Sequence, residues 1–196
     1  MSGIRTWTQL TADNSQHHSS LKENVYFIGF MGAGKSTVAR KVARRLGVPE
    51  LDMDKYIVRS EGRSIKDIFD QEGEEGFRRI ERKTLKELAG FPEPMLISCG
   101  GGIAVDPENR AVLKSCGKVI HLLVDADEAS RRIADKTSRP LFNDMESARE
   151  LCRNRLPFYE DAADVTISTG DRSVNSIAQD VIDWLESEGI VCPRLG

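Results

Sequence analysis

Apolar positions fall along this chain in two rhythms. Short unbroken runs rich in β-branched and aromatic residues occupy 25–29 (VYFIG), 95–99 (MLISC) and 118–124 (KVIHLLV), with sparser ones at 49–54 (PELDMD) and 164–169 (DVTIST). Such runs suit strands covered on both faces. Between them the apolar spacing lengthens to three and four. Val38, Val42 and Leu46 mark a helix over 35–47 that Gly47 ends. Residues 64–90 are helical on both sides of a break near Gly73 to Gly76, and Asp106-Pro107 supplies the cap and first turn of a helix over 106–117. Further helices are predicted over 125–136, over 146–163 with a proline inside, and over 173–187, with 137–145 as a loop. Five short strands alternating with helices predict an α/β fold, a parallel sheet with helices on both faces. No internal repeat or low-complexity linker divides it, so one domain is expected over about 25–190. Ligands of such sheets sit beyond the C-terminal ends of the strands, and the residues that follow each strand therefore matter most.

The first strand runs into GFMGAGKST (29–37). Gly29 to Ser36 fits G-x-x-x-x-G-K-[ST], with a strand before it and a helix after it as that pattern requires. Glycines at Gly29, Gly32 and Gly34 let the backbone fold into a concave nest of N–H groups, and the helix adds its positive end. Lys35 would reach the β- and γ-phosphates of a nucleotide, and the Ser36 hydroxyl would ligate Mg²⁺. Gly32, Ala33, Gly34, Lys35, Ser36 and Thr37 are thus the expected nucleotide-binding loop, the one that would take ATP in a kinase. A GTPase-like switch is the competing use of such a loop. The stretch DQEG (70–73) has the switch spacing, but it lies in a charged helical segment, and the chain has no N-K-x-D for guanine.

The second strand ends in Asp52 and Asp54, expected on opposite sides of an extended segment. One could support the Mg²⁺ shell and the other face an acceptor hydroxyl as base. The third strand leads into Gly100, Gly101 and Gly102, three glycines whose backbone could approach a ligand closely. Arg78, Arg139 and Arg155 lie far apart in sequence but in or beside segments that leave the same edge of the sheet. Arginine is the planar fork that takes a carboxylate by two parallel hydrogen bonds. A small anionic acceptor follows from that set.

The motifs GFMGAGKST, LDMD, GRSIKDIFDQEGEEGFRRIE, GGG, RPL and RLPFYEDAA stand in the order found in shikimate kinases, and residues 25–187 resemble that family. The resemblance implies a three-layer α/β sandwich of the P-loop NTPase class, nucleoside-monophosphate-kinase-like, with a five-stranded parallel sheet in the order 2-3-1-4-5. It implies MgATP-dependent phosphorylation of the shikimate 3-hydroxyl. Asp54 would contact the acceptor hydroxyls as base, and Arg78, Gly100 to Gly102, Arg139 and Arg155 would surround shikimate, with Arg78 and Arg155 on its carboxylate. Asp52 would sit near Mg²⁺, through water. Arg139, in a lid over about 137–146, would offset charge on the transferring group. Arg132 would pack by the adenine, and TGDRSV (169–174), with Arg172, holds the position of the adenine loop. A kinase for another small anion such as gluconate or a nucleotide, and a non-catalytic ATP-binding relative, are the alternatives. The first lacks a use for the arginines with GGG. The second normally requires loss of a catalytic residue, and none is missing.

Composition narrows the partners. The 196 residues are 39% hydrophobic and 30% charged with net charge −3, so no basic excess marks a nucleic-acid or membrane surface. No apolar run approaches the ~20 residues of a membrane-spanning helix. Cys99, Cys116, Cys152 and Cys192 are scattered without C-x-x-C or zinc spacing and suit idle thiols in a reducing cytosol. Residues 1–24 are polar, lack a secretory apolar segment and carry too little arginine for a transit peptide; a flexible tail is expected, with His17 and His18 as a solvated pair. The expected enzyme is cytoplasmic and monomeric, with ATP, Mg²⁺ and shikimate as its only partners.

Overall fold

The computed structural model describes residues 19–132 and 144–193. In chain order the strands are β1 (Ser19–Leu21), β2 (Asn24–Ile28), β3 (Glu50–Asp52), β4 (Leu96–Ser98), β5 (Gly117–Leu123), β6 (Val165–Ser168) and β7 (Val191–Pro193). The helices are α1 (Lys35–Leu46), α2 (Met53–Glu61), α3 (Ile65–Ala89), α4 (Pro107–Ser115), α5 (Ala126–Arg132), α6 (Met145–Ala162) and α7 (Val174–Ser187), with a short 3₁₀ turn at Ile103–Val105. Strands β3-β4-β2-β5-β6 form one parallel sheet in that order. With the five sheet strands renumbered one to five, this is the expected order 2-3-1-4-5.

Chain direction across the sheet sorts the helices into layers. From β2 the chain crosses to the far edge at β3 through α1, then moves back step by step to β4, β5 and β6. Right-handed crossovers place α1 on one face and the helices of the return path on the other. The last helix, α7, comes back to pack on α1, while α4 packs against α3, β5 and α6. Central strand β2 is therefore sealed on both sides, and every one of its residues is buried. That is why it reads as a continuous apolar run rather than an alternating one.

The helix limits follow local chemistry. Gly47 and Gly62 end α1 and α2 in the left-handed conformation, each donating its N–H to a carbonyl of the last turn. Ser64 and Asp67 form a reciprocal capping box at the start of α3. The expected break in that helix lies at Gly73, whose φ of 68° and ψ of −172° only glycine adopts readily.

Three expectations need correction. Asp54 is not in an extended segment: the strand stops at Asp52, which caps α2, and Asp54 lies in the first helical turn. The polar segment 1–24 is not wholly a tail, since Ser19–Leu21 pairs antiparallel with Val191–Pro193 and Asn24 opens β2. For the same reason ordered structure passes residue 190 at the other end. The loop expected over 137–145 and the lid expected over about 137–146 lie mostly outside the described residues; of them, Asp144 caps α6, and Met145 and Glu146 are helical. Among the described residues no helix is long and apolar enough to cross a membrane.

Candidate active site

The C-terminal ends of β2, β3 and β4 open on one cavity of about 500 Å³. Gly32 to Thr37, Asp52, Asp54, Gly101, Arg132 and Arg172 all line it, and Ser98 and Cys99 join them from β4 and its end. Gly29, Gly32 and Gly34 all have positive φ. The loop they form closes with an N–H of Ala33 donated to the Phe30 carbonyl at 3.2 Å. At its end α1 begins with no side-chain cap and no acid in its first turn. Its first N–H groups and positive end thus offer an anion site, with no acid of the helix's own first turn competing for it. The Lys35 ammonium donates to the carbonyls of Gly29 at 2.8 Å and Phe30 at 3.0 Å, lying back across the loop.

Ser36 Oγ is 3.0 Å from Ser98 Oγ, with Asp52 lining the same cavity. Asp52 Oδ1 accepts the N–H of Lys55 at 3.2 Å as helix cap, which fixes the carboxylate at the strand end. Two hydroxyls and a carboxylate are hard oxygen donors of the kind Mg²⁺ takes when it keeps several waters. Among the described residues no group of three or more His, Cys, Asp or Glu side chains could hold a metal alone, so an ion here would need water and phosphate oxygens as well.

Beside the cavity the glycine run after β4 meets the acidic and basic side chains one by one. A Cβ on Gly100 would stand 2.9 Å from Asp54 Oδ1 and 3.1 Å from Glu81 Oε1. One on Gly101 would stand 3.5 Å from the Met31 nitrogen and 4.0 Å from Arg155 Nη1. One on Gly102 would run into both terminal nitrogens of Arg78 and lie 2.7 Å from its Cζ. The structure thus brings Asp54, Arg78, Arg155 and all three glycines to one place, adjoining the phosphate loop. Arg155 donates Nη1–H to the Gly101 carbonyl at 3.2 Å.

Arg78 is held by two glutamates on its own helix: Nη1 donates to Glu81 at 2.7 Å and Nη2 to Glu74 at 3.2 Å. Glu81 is 1% exposed. Burial pushes its carboxyl above the usual range, against the pull of Arg78 and Arg155, and nearby Asp54 pushes the same way. Arg78 itself stays fully cationic: burial opposes its charge, and Glu81 and Glu74 outweigh that.

On the opposite side Arg132 donates Nη1–H to Thr169 Oγ1 at 2.9 Å and Nη2–H to Glu128 at 2.7 Å. Arg172 donates to the Ser168 carbonyl at 3.1 Å and pairs with Asp180 at 2.7 Å. Both reach the cavity wall from the ends of α5 and β6. Arg139 lies outside the described residues. Sequence reasoning passed over Glu81, Tyr159 and Ser98. The first two follow Arg78 and Arg155 by three and four residues, so helical spacing alone puts them on the same faces; Ser98 is the last residue of β4.

The sequence matches the family model described as shikimate kinase over residues 31–186. A shikimate kinase of Enterococcus faecalis is 40% identical over 168 residues, covering 84% of this chain and 99% of that one. One from Dehalococcoides mccartyi is 38% identical, over 84% of this chain and 94% of the relative. Among solved structures, a shikimate kinase from Acinetobacter baumannii in complex with shikimate superimposes with a TM-score of 0.79 at 35% identity, covering 85% of this chain and 94% of that one.

Proposed function

The chain belongs to the shikimate kinase family, and we propose that it transfers the γ-phosphoryl group of ATP to the 3-hydroxyl of shikimate, giving shikimate 3-phosphate for chorismate synthesis. The observation that carries this is the glycine run after β4, with Arg78 against Gly102 and Arg155 on the Gly101 carbonyl, beside the phosphate loop and Asp54. Two guanidinium forks and one carboxylate around a side-chain-free stretch of backbone suit a small ring acid bearing hydroxyls. They do not suit a nucleobase, which would call for stacking and edge-recognition groups.

In this reading ATP lies in the cavity with its phosphates on Gly32 to Thr37. Lys35 leaves the loop carbonyls for the β- and γ-phosphates. Arg132 and Arg172 flank the adenine. The acceptor carboxylate is bound by Arg78 and Arg155, which turns one ring hydroxyl toward the γ-phosphorus. Asp54, in the first turn of α2, orients that hydroxyl and takes its proton as the bond to phosphorus forms and ADP departs. Arg139, from the segment between α5 and α6, offsets charge on the transferring group. Ser36, and Asp52 through water, are the residues that would hold Mg²⁺, which supplies charge neutralisation on the phosphates. Most of the rate comes from position and field rather than covalent chemistry. The kinase unit takes in the β1–β7 pair, so its limits widen from 25–190 to 19–193, and the enzyme acts as a cytoplasmic monomer on small molecules alone.

The test is ADP release by the purified protein with MgATP, with and without shikimate, and with gluconate and AMP as controls. Stimulation by shikimate alone, with the phosphate located on the 3-oxygen by ³¹P–¹H correlation, is the expected result. ATP binding without stimulation by any acceptor would overturn the acceptor assignment and leave the phosphate loop standing.

A further inference from the structure

Tyr159, in the last turn of α6, is 1% exposed, and no role in phosphoryl transfer requires it. Its hydroxyl nevertheless ends in the acceptor site. It donates a hydrogen bond to the Gly101 carbonyl, the same oxygen that accepts Arg155 Nη1–H at 3.2 Å. Both donors thus share one acceptor oxygen. One phenol and one guanidinium therefore converge on a single glycine carbonyl inside the site.

The ring is as firmly fixed as the hydroxyl. It stacks on His121 of β5, centroids 5.1 Å apart and planes 28° apart. His121 is held in turn, with Nδ1 3.2 Å from Thr166 Oγ1 of β6. Its Cδ2 lies 3.4 Å from where a Cβ on Gly29 would stand. Gly101 in turn faces the phosphate loop, since its own Cβ would be 3.7 Å from the Gly29 carbonyl. The contact chain Gly29–His121–Tyr159–Gly101 therefore returns to the loop from which it starts. Burial pushes the phenol up to about 12, so the hydroxyl keeps its proton and remains a donor across the range in which enzymes work.

A buried tyrosine needs some partner for its hydroxyl, and any backbone carbonyl would satisfy that need. What separates this one from ordinary core packing is that its partner carbonyl belongs to the acceptor site and also takes Arg155. We infer that Tyr159 is a positioning residue for the acceptor: by fixing the Gly101 carbonyl to which Arg155 also bonds, its hydroxyl sets where Arg155 presents its guanidinium. This rests on Arg155 being a ligand of the shikimate carboxylate, as proposed above.

The experiment is a double-mutant cycle on the full chain with Tyr159→Phe and Arg155→Ala. Phenylalanine fills the same ring volume and keeps the stack on His121, and the Gly101 carbonyl keeps Arg155, so a melting curve near that of the parent is expected. The Michaelis constant for shikimate should rise roughly 5–30-fold in Tyr159→Phe, with that for ATP and kcat within about threefold of the parent. In the Arg155→Ala background the same change should have little further effect. A shikimate constant unchanged in Tyr159→Phe but raised in Arg155→Ala would overturn the positioning role. So would equal effects in both backgrounds. A constant unchanged in Arg155→Ala itself would instead remove Arg155 from the acceptor site, and with it the premise.

Discussion

Gly102→Ala isolates the link between the glycine run and the arginine fork. Gly102 has φ −104° and ψ 0°, a conformation open to alanine, so the backbone does not require glycine there. The side chain does. The new methyl would overlap the Arg78 guanidinium, 2.7 Å from Cζ. Arg78 would have to withdraw about 1 Å to regain ordinary van der Waals separation. Arg78 is only 18% exposed and is anchored by Glu81 at 2.7 Å and Glu74 at 3.2 Å, so the withdrawal works against bonds that now fix the fork. Because the moving group is the far end of a flexible side chain, the fold should survive with a melting point close to the parent's. The acceptor site should not. Displacing one charged hydrogen bond costs about 1.5–3 kcal/mol, which corresponds to a shikimate Michaelis constant raised roughly 10- to 150-fold.

The assay is steady-state ADP release with each substrate varied in turn. The ATP constant should stay put, since the three heavy atoms nearest a methyl at 102 all belong to Arg78. The decisive comparison is the double variant. With Arg78→Ala already in place, the methyl at 102 has nothing to push, and Gly102→Ala should add little. A shikimate constant within twofold of the parent in the single variant would refute the argument. An effect of the same size in the Arg78→Ala background would do so too, because the glycine would then act by some route other than Arg78.

Other outcomes test other parts of the same frame. Lys35→Ala should leave folding intact and lower kcat on the order of 10²–10³-fold; turnover above a tenth of the parent's would remove Lys35 from the transferring group. Gly73→Ala meets no atom within 4 Å but sits at φ 68° and ψ −172°, so urea unfolding should show a purely conformational loss of about 1–3 kcal/mol; no loss would mean that α3 can run straight through the break. His121 is buried, and burial, with a smaller push from Lys35, lowers its pKa from the ordinary 6.5 to about 4. Between those values the unfolded chain holds the proton and the folded one does not, so stability from this group is full above about pH 6.5 and is lost as pH falls toward 4. The loss should reach about 2 kcal/mol by pH 5, and His121→Gln should flatten that slope in denaturant titrations; parallel pH curves for the two proteins would reject it.

What the sequence disclosed and what it withheld divide by the range of the interactions concerned. Sheet strands and helices announce themselves because burial imposes a period along the chain, and β2 or α1 can be read residue by residue. The phosphate loop is legible for a related reason: positive φ at Gly32 and Gly34 and a helix start at Lys35 are local demands met by local residue types. The strand pair β1–β7 has no such mark. Three residues at each end are too few to show a period, and each becomes a strand only because the other lies beside it. Asp52 shows a subtler failure. Its cap on Lys55 is a local signal and a helix N-cap is the competing reading of the two acids, yet the apolar-then-acidic ending favours a strand, which puts Asp54 in the wrong element. The site residues named from motifs meet at the glycine run, but the partners that hold them were not named. Glu81 and Tyr159 sit one helical turn beyond Arg78 and Arg155, on faces that could have been drawn from spacing. What spacing cannot give is that those faces turn inward at the end of β4, where a buried carboxyl takes Arg78 and a buried phenol shares the Gly101 carbonyl with Arg155. A motif therefore names the groups that touch a ligand more readily than the groups that keep them in place, since the second kind acts through tertiary contact and needs no fixed position in the chain.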